Sequence, residues 1–490
     1  MTDPLAAPDP NAVAPAGPVR AVAPSGTGGG PDPLAPYDAV LLLSYGGPDG
    51  PDDVLPFMRN ATAGRGVPDS RLVEVSGHYQ RFGGVSPINA RNRELLVALR
   101  TELAGRGSAV PVGWGNRNWH PFVSEGLASL LEAAGPGQEV APGSGCGRAG
   151  EVGALTARRV VALTTSAYAS YSGCRQYRED LAGAVAAWAE SAGAEGSGID
   201  LTVDKTRPPF NTPGMLEANV EAIVTAYSRL AERGVPAREV RLVLVTHSIP
   251  VGMETGSAPS DAERVAAGSS AAGGHLVEPG VAADLSTEIG YVAQHEAFAA
   301  VLLPEVARRL DLPVVPDHDL VYCSRSGPPQ ARWLEPDVND HLEALAGGQV
   351  RGRDGAPVPR PGGVVVAPVG FVSDHMEVVF DLDTEAAQTA ADLDLPYERA
   401  ATAGTHPAFV ASLVDLLLER AAVARGEEVV PVSTTGTGPF HTVCPSTCCR
   451  PGTRPAHGGG HPGAHRSAPA HVSDTADDAS DTSDHQPHHP

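Results

Sequence analysis

Residues 39–48 read AVLLLSYGGP. Ala39–Ser44 is apolar up to its final serine, and Gly46, Gly47 and Pro48 break the chain directly after Tyr45. A run with no polar alternation has no solvent face, so it predicts a strand near the middle of a parallel sheet with helices on both sides. The same signature returns at Val110–Val112, Arg159–Leu163, Leu201–Val203, Val240–Thr246, Leu320–Cys323 and Val364–Pro368. Helical periods lie between these runs. Ser86-Pro87 predicts a capped helix start, Leu95, Leu99 and Leu103 line one face, and Gly105 is the stop. Leu181, Val185 and Trp188 mark a helix after Cys174, and Leu216, Val220, Ile223 and Leu230 mark a longer one. Two more helices are expected near Ile289–Leu310 and over Phe409–Ala424. Strands alternating with helices give right-handed crossovers and an α/β fold. The length fits two doubly wound parallel-sheet domains of half size with a cleft between them, and ligands in such folds sit beyond the carboxyl ends of the strands.

Composition bounds how much of the 490 residues folds. Residues 1–36 are rich in Pro, Ala and Gly, and residues 451–490 in Gly, Ser, Asp and His; neither stretch buries enough apolar surface to offset its ordering entropy. Both are expected to be disordered. Gly135–Gly153 and Gly252–Ala283 read as inserted surface loops. The resulting division is a first domain over 37–195, a second over 196–430 whose last helix packs back on the first, and an extension carrying cysteines over 431–450. A formal net charge of −23 argues against nucleic acid and anionic membranes as general partners, and suits a small cationic substrate. No secretory signal pattern or membrane-spanning apolar run is present, so the cytoplasm is the expected compartment. There the six cysteines read as metal ligands or free thiols before disulfides.

Two strand ends carry the chemistry. Val243–Pro250 (VLVTHSIP) places His247 where a strand meets a turn, and Val364–Glu377 (VVVAPVGFVSDHME) ends a strand in a Gly turn followed by Asp374, His375 and Glu377. Glu377, Asp381 and Glu385 recur every fourth residue, which on a helix makes one acidic stripe. Stacked like charges repel by a few tenths of a kcal/mol per pair. A path for a cation gives that cost a purpose; a solvated helix face is the plainer reading of the same pattern.

The segments LLLSYGGP (41–48), HYQRFGGVSPIN (78–89), NRNWHPF (116–122), SAYASYSGCRQY (166–177), VTHSIP (245–250), SRSGPP (324–329) and PVGFVSDHMEV (368–378), in this order, resemble the ferrochelatases. The resemblance runs through most of residues 37–449, interrupted by the two insertions. SYSGCRQY and the end carrying the cysteines are most similar to the actinobacterial branch, which is associated with coproporphyrin III and its conversion to iron-coproporphyrin III on the route to haem b. The resemblance implies a lyase with Fe²⁺ as substrate and a porphyrin cleft between two Rossmann-like domains. It implies His247 and Glu377 as the catalytic and metal-site pair; beside that pair the acidic pattern of Asp374, Asp381 and Glu385 reads as a metal relay. It places porphyrin contacts at Tyr45, His78, Tyr79, Ser86, Arg117 and Tyr177, with Arg59 and Arg65 as further candidates to answer a propionate. Transient contact with neighbouring haem-pathway enzymes would follow. Metallation removes two pyrrole protons and strips water from Fe²⁺, tasks for an imidazole base and a carboxylate. The alternatives are a protoporphyrin IX ferrochelatase, a chelatase for Co²⁺ or Ni²⁺, and a non-catalytic porphyrin or haem carrier. A carrier needs no route for free metal, so the acidic stripe separates it from the others.

Cys174, Cys444, Cys448 and Cys449 supply four thiols, the number a [2Fe–2S] cluster takes, and some ferrochelatases pair one internal cysteine with three near the C-terminus. Free thiols and a zinc site are the other readings. Cys323 sits within a strand and reads as a small buried apolar residue, whereas Cys146 lies in a Gly-rich loop and takes no assignment. The histidines of the tail, from His457 to His489, read first as part of a disordered polar segment, and loose binding of divalent metal is the other reading.

Overall fold

The computed structural model describes residues 30–64, 66–134, 138–140, 155–191, 199–258, 289–325, 331–352, 355–444 and 448–451. The expectations for residues 1–29, Arg65, Cys146, the greater part of both insertions and the tail from 452 onward lie outside the described residues.

The first half opens with β1 (Ala39–Ser44), every residue of which is buried. It continues with α1 (Val54–Ala61), α2 (Asp69–Gln80), α3 (Ile88–Gly105), β2 (Val112–Asn116), α4 (Val123–Ala133), β3 (Gln138–Val140), β4 (Leu155–Thr164), α5 (Gln176–Ser191) and β5 (Ile199–Lys205). Strands β2, β1, β4 and β5 form a parallel sheet, and β3 adds an antiparallel edge to the start of β4. The second half comprises α6 (Pro213–Glu232), β6 (Val240–His247), α7 (Val251–Thr255), α8 (Tyr291–Arg309), β7 (His318–Cys323), α9 (Val338–Ala346), β8 (Gly363–Ala367), α10 (Met376–Phe380), α11 (Ala387–Asp392), β9 (Tyr397–Arg399) and α12 (Pro407–Ala424). Its sheet is parallel throughout, in the order β7-β6-β8-β9. This is the α/β architecture expected, with two doubly wound parallel sheets.

One continuous core joins the halves. Leu42 of β1, Val161 of β4, Phe210, Val220 of α6, Leu244 of β6 and Leu417 of α12 all belong to it. Burying each such side chain contributes roughly 1.5–3 kcal/mol, which is why the apolar runs, and not local propensity, position these elements. Helix α12 packs on both α3 and α6.

Several expectations change. The first sheet extends to Lys205, past the division drawn at 195, because β5 pairs with β4. Residues 30–36 are ordered: Leu34 is fully buried in the core, and Arg425 donates to the carbonyls of Pro33 and Ala35. The segment expected to be disordered therefore cannot extend to 36. Strand β2 starts where the expected strand ends and runs on through VGWGN, since Gly113 lies against Leu130, and Gly115 against Val123, beneath α4. Glycines that let a helix approach leave no apolar period to read. Ser86 does not cap α3; it is buried, and the helix starts after Pro87 with no side-chain cap. Within the stretches expected as surface insertions, β3 is a strand and Val251–Thr255 a helical turn.

Candidate active site

Strand β6 lies between β7 and β8, so its carboxyl end is the floor of the second half's cleft. His247 is its last residue, paired in register with Cys323, and is half-buried after seven buried residues. Its backbone is fixed from below. The Tyr291 hydroxyl, from α8, donates to the His247 carbonyl at 3.1 Å and meets Thr246 Oγ1 at 2.6 Å. His247 Nδ1 lies 2.5 Å from the Ser248 carbonyl oxygen. A carbonyl only accepts, so Nδ1 carries the proton and the lone pair for a proton or a metal is on Nε2.

The neighbouring strand β8 delivers Glu377. After Ala367 the chain turns through Gly370, where a Cβ would collide with Thr246, so only glycine lets this loop close against the end of β6. Gly370 N then donates to the Val245 carbonyl at 3.1 Å. His375 precedes α10 and Glu377 lies in its first turn. His375 Nδ1 is 2.7 Å from Glu377 Oε2. Burial pushes the Glu377 carboxyl up, but His375 beside it and His247 across from it outweigh burial and hold it down at about 2. Burial lowers His375 in turn, yet the Glu377 carboxylate raises it overall. Glu377 is thus a standing anion.

The acidic stripe is not on an α-helix. Asp381–Ala386 forms a π-helical turn between α10 and α11, tethered by the Tyr397 hydroxyl donating to the Leu382 carbonyl at 2.9 Å. The three acids stay close despite this. Burial, together with Glu377 and Glu385, raises Asp381 to about 7, even though Ser324 Oγ donates a short hydrogen bond to Asp381 Oδ2. Asp374 is directed elsewhere: Arg399 Nη1 donates to its Oδ1 at 3.2 Å and Thr402 Oγ1 at 3.1 Å.

The first half supplies the facing wall. Gly47 turns after β1, with room for a Cβ excluded by Ser86 Cβ at 2.6 Å, so Ser86 packs on the turn beyond Tyr45. Tyr45 and Tyr79 both set their rings edgewise on Phe57. Burial raises the Tyr79 phenol strongly, and the negative charges of Glu377 and Asp381 near it add to the shift. His78 stacks on Phe380 at 4.2 Å and 14°, so α2 and α10 touch across the cleft.

Arg117 and Tyr177 come together, but the arginine is engaged. Its guanidinium lies 3.8 Å over the Tyr177 ring, Nε donates to Asp180 at 2.5 Å, and Nη1 donates to the Ser172 carbonyl at 3.1 Å. Nη2 meets no acceptor among the described residues and is the donor that remains for a bound group. Arg59 pairs with Asp69 at 2.8 Å on the surface.

A second site lies where the extension docks. Cys174 sits in the π-helical turn Tyr171–Arg175, which Ser170 caps by accepting from Gly173 N at 3.0 Å. The Cys174 thiol contacts those of Cys444 and Cys449, and Cys448 contacts Cys444 and Cys449. Adjacent residues on an extended chain point apart. Cys449, at φ 51°, is left-handed, and its Sγ lies 3.3 Å from that of Cys448. His441 Nε2 lies 3.7 Å from Cys448 Sγ. Half-buried Lys205 touches Cys174; desolvation lowers its pKa, but the negative charge of Cys174 and Cys444 as thiolates raises it overall.

Sequence reasoning missed His375 as the partner of Glu377, Ser324 as the donor to Asp381, Phe380 as the face under His78, and Lys205 and His441 beside the thiols. His375 and Ser324 stood within quoted motifs, and that was the available signal. Cys323 is buried, as expected.

Two parallel-sheet halves carry a histidine at the carboxyl end of one strand, a glutamate in the first helix after the adjacent strand, and a cluster of acids beside them, the arrangement of an α/β protein whose ligand site lies beyond its strand ends. A sequence profile described as Ferrochelatase matches residues 37–140 and 149–421. The chain is 45% identical over 425 residues to the coproporphyrin III ferrochelatase of Streptomyces coelicolor (strain ATCC BAA-471 / A3(2) / M145), covering 86% of this chain and 95% of that protein. It is 40% identical over 430 residues to the coproporphyrin III ferrochelatase of Tropheryma whipplei (strain Twist), covering 86% and 92%. The chain belongs to the ferrochelatase family. The profile ends before the extension that carries Cys444, Cys448 and Cys449.

Proposed function

We propose that this ferrochelatase inserts Fe²⁺ into coproporphyrin III, giving iron-coproporphyrin III for haem b synthesis, in the cytoplasm. The relatives named above carry that activity in their names. The observation that carries the mechanism is the contrast between Glu377, held at about 2, and Asp381, raised to about 7. Glu377 stays ionised and serves as a hard oxygen ligand for Fe²⁺. His247 Nε2 is the base that takes the pyrrole protons, and Asp381, poised near neutrality, accepts protons passed along the stripe with Glu385. Tyr45, Tyr79, His78 and Ser86 form the porphyrin wall, with Arg117 and Tyr177 at its edge. A porphyrin held out of plane exposes its nitrogen lone pairs to the metal. Asp374, tied to Arg399, positions the loop that precedes Glu377. The five described cysteines are free thiols, in keeping with a reducing compartment. No helix among the described residues is long and apolar enough to cross a membrane. Transient contact with enzymes that make coproporphyrin or consume its iron complex belongs to the same reading.

The four thiols fit a [2Fe–2S] cluster. Each contacts two of the others, three are buried, and Lys205 offers a cation against the negative charge that four thiolates leave on such a cluster. Cys174, Cys444, Cys448 and Cys449 would hold it, and when bound it supplies one-electron chemistry. Their own part is to tie the extension to the turn at 171–175.

The test is anaerobic incubation with Fe²⁺ and either coproporphyrin III or protoporphyrin IX, followed by loss of the free-base spectrum. Turnover of coproporphyrin III supports the reading; faster turnover of protoporphyrin IX reverses the substrate assignment, and turnover of neither ends it.

A further inference from the structure

We propose that His441, Cys444 and Cys448 form a mononuclear site for a divalent cation, Zn²⁺ or Fe²⁺, which fills when no cluster occupies the pocket. The donor atoms of these three residues all lie within 4.8 Å of one another. An ion at Zn–S of about 2.3 Å and Zn–N of about 2.0–2.1 Å, bound tetrahedrally, sets a sulfur and a nitrogen ligand about 3.6 Å apart. Cys448 Sγ and His441 Nε2 are 3.7 Å apart. His441 also contacts the Cys444 thiol, and contact with Cys174 lowers Cys444 from its ordinary value.

The imidazole ligand is held before any ion arrives. Phe440 is buried against Phe210, ring edge to face at 5.6 Å, which fixes the residue after it. Thr442 Oγ1 donates to Glu419 at 2.8 Å, which fixes the next. His441 itself is buried between them. Two thiolates and one imidazole suit Zn²⁺ and Fe²⁺, and the fourth position falls to water. Cys174 and Cys449 are not needed. The site shares Cys444 and Cys448 with the cluster, so the two occupancies exclude each other; it does not require that the cluster form.

Co²⁺ is the probe, because thiolate ligation gives it intense visible and near-ultraviolet bands. Full-length protein is freed of iron and sulfide by anaerobic chelation and titrated. The expected result is saturation of those bands at one equivalent, unchanged in a Cys174→Ser variant. His441→Ala and His441→Gln should each lose at least about tenfold in affinity, the scale on which even outer-shell changes act. The histidines of the tail are common to all these proteins, so the difference isolates His441. Absence of thiolate–Co²⁺ bands in the parent, or equal affinity in both His441 variants, overturns the site. Reconstitution of the parent with Fe²⁺ and sulfide separates the two readings. A parent that forms no cluster yet binds Co²⁺ through His441 keeps this site and ends the cluster reading. A parent that forms a cluster but takes no Co²⁺ when stripped does the reverse.

Discussion

His375 Nδ1 sits 2.7 Å from Glu377 Oε2, two residues apart at the start of one short helix. The pair keeps Glu377 ionised although burial opposes it. A carboxylate whose pKa is depressed is fully charged above its ordinary range and loses that charge only as pH falls toward the depressed value. His375→Ala removes the main cation, so the Glu377 pKa rises and the charge is lost at higher pH. The expected result is a KM for Fe²⁺ raised roughly 10- to 100-fold, with the defect growing as the assay moves from pH 8 to pH 6. A defect independent of pH would show that His375 acts only in packing.

The base proposed for the reaction is His247, acting through Nε2. Replacing it by alanine should lower kcat roughly 10²- to 10⁴-fold, the usual contribution of a positioned proton acceptor. Porphyrin affinity, read by fluorescence quenching, should stay within a few-fold, because the wall of Tyr45, Tyr79 and His78 is untouched. A His247→Ala enzyme with unchanged turnover would refute the assignment.

How far these sites could be read without coordinates depends on what holds each residue. Strands β1, β6 and β8 were legible because both of their faces are buried, and that placed His247 at the end of β6 and Glu377 past the turn after β8. Helix α2 was not: only Leu72 and Ser76 are buried among its twelve residues, which leaves no apolar period. Leu34 is a single buried side chain in a Pro-rich stretch, and composition averages it away. The partners of the site were hidden by distance along the chain. Ser324 and Asp381 are 57 residues apart, and Arg117 and Asp180 are 63 apart. Arg117 has the residue type that answers a propionate, yet its charge is spent on Asp180 and its face on Tyr177.

Asp381, raised to about 7, should give activity a rising limb near neutrality if it serves the proposed relay. Below that pH it would be protonated and would neither attract Fe²⁺ nor take a proton; above it both functions should return. Asp381→Asn should lower kcat/KM above pH 7 and remove the limb. Its effect on stability has the opposite sign. A carboxyl raised by folding binds its proton more tightly when folded, so it costs stability once pH exceeds its unfolded value of about 4 and increasingly up to 7. The asparagine variant should therefore melt at a higher temperature than the parent at pH 8, and the two should converge toward pH 4. A variant that melts lower at pH 8 would place Asp381 in a stabilising contact instead.

The extension is anchored by a buried ion pair. Arg207 Nε lies 2.8 Å from Glu419 Oε1 with both side chains nearly sealed from solvent, and Arg207 Nη2 also donates to the Val432 carbonyl at 2.7 Å. Glu419 accepts in addition from Thr442, two residues before Cys444. Removing one partner of such a pair leaves a charge buried without compensation and costs about 3–5 kcal/mol, far more than an exposed pair is worth. Glu419→Gln should therefore lower the melting temperature and loosen residues 431–444. Because that docking brings Cys444 to Cys174, iron and sulfide content after anaerobic reconstitution should fall with it, while a surface control such as Glu94→Gln, whose Arg91 partner is solvent-exposed, should change neither. If Glu419→Gln melts early but holds its full metal content, the thiols are gathered by the metal itself and the ion pair serves stability alone.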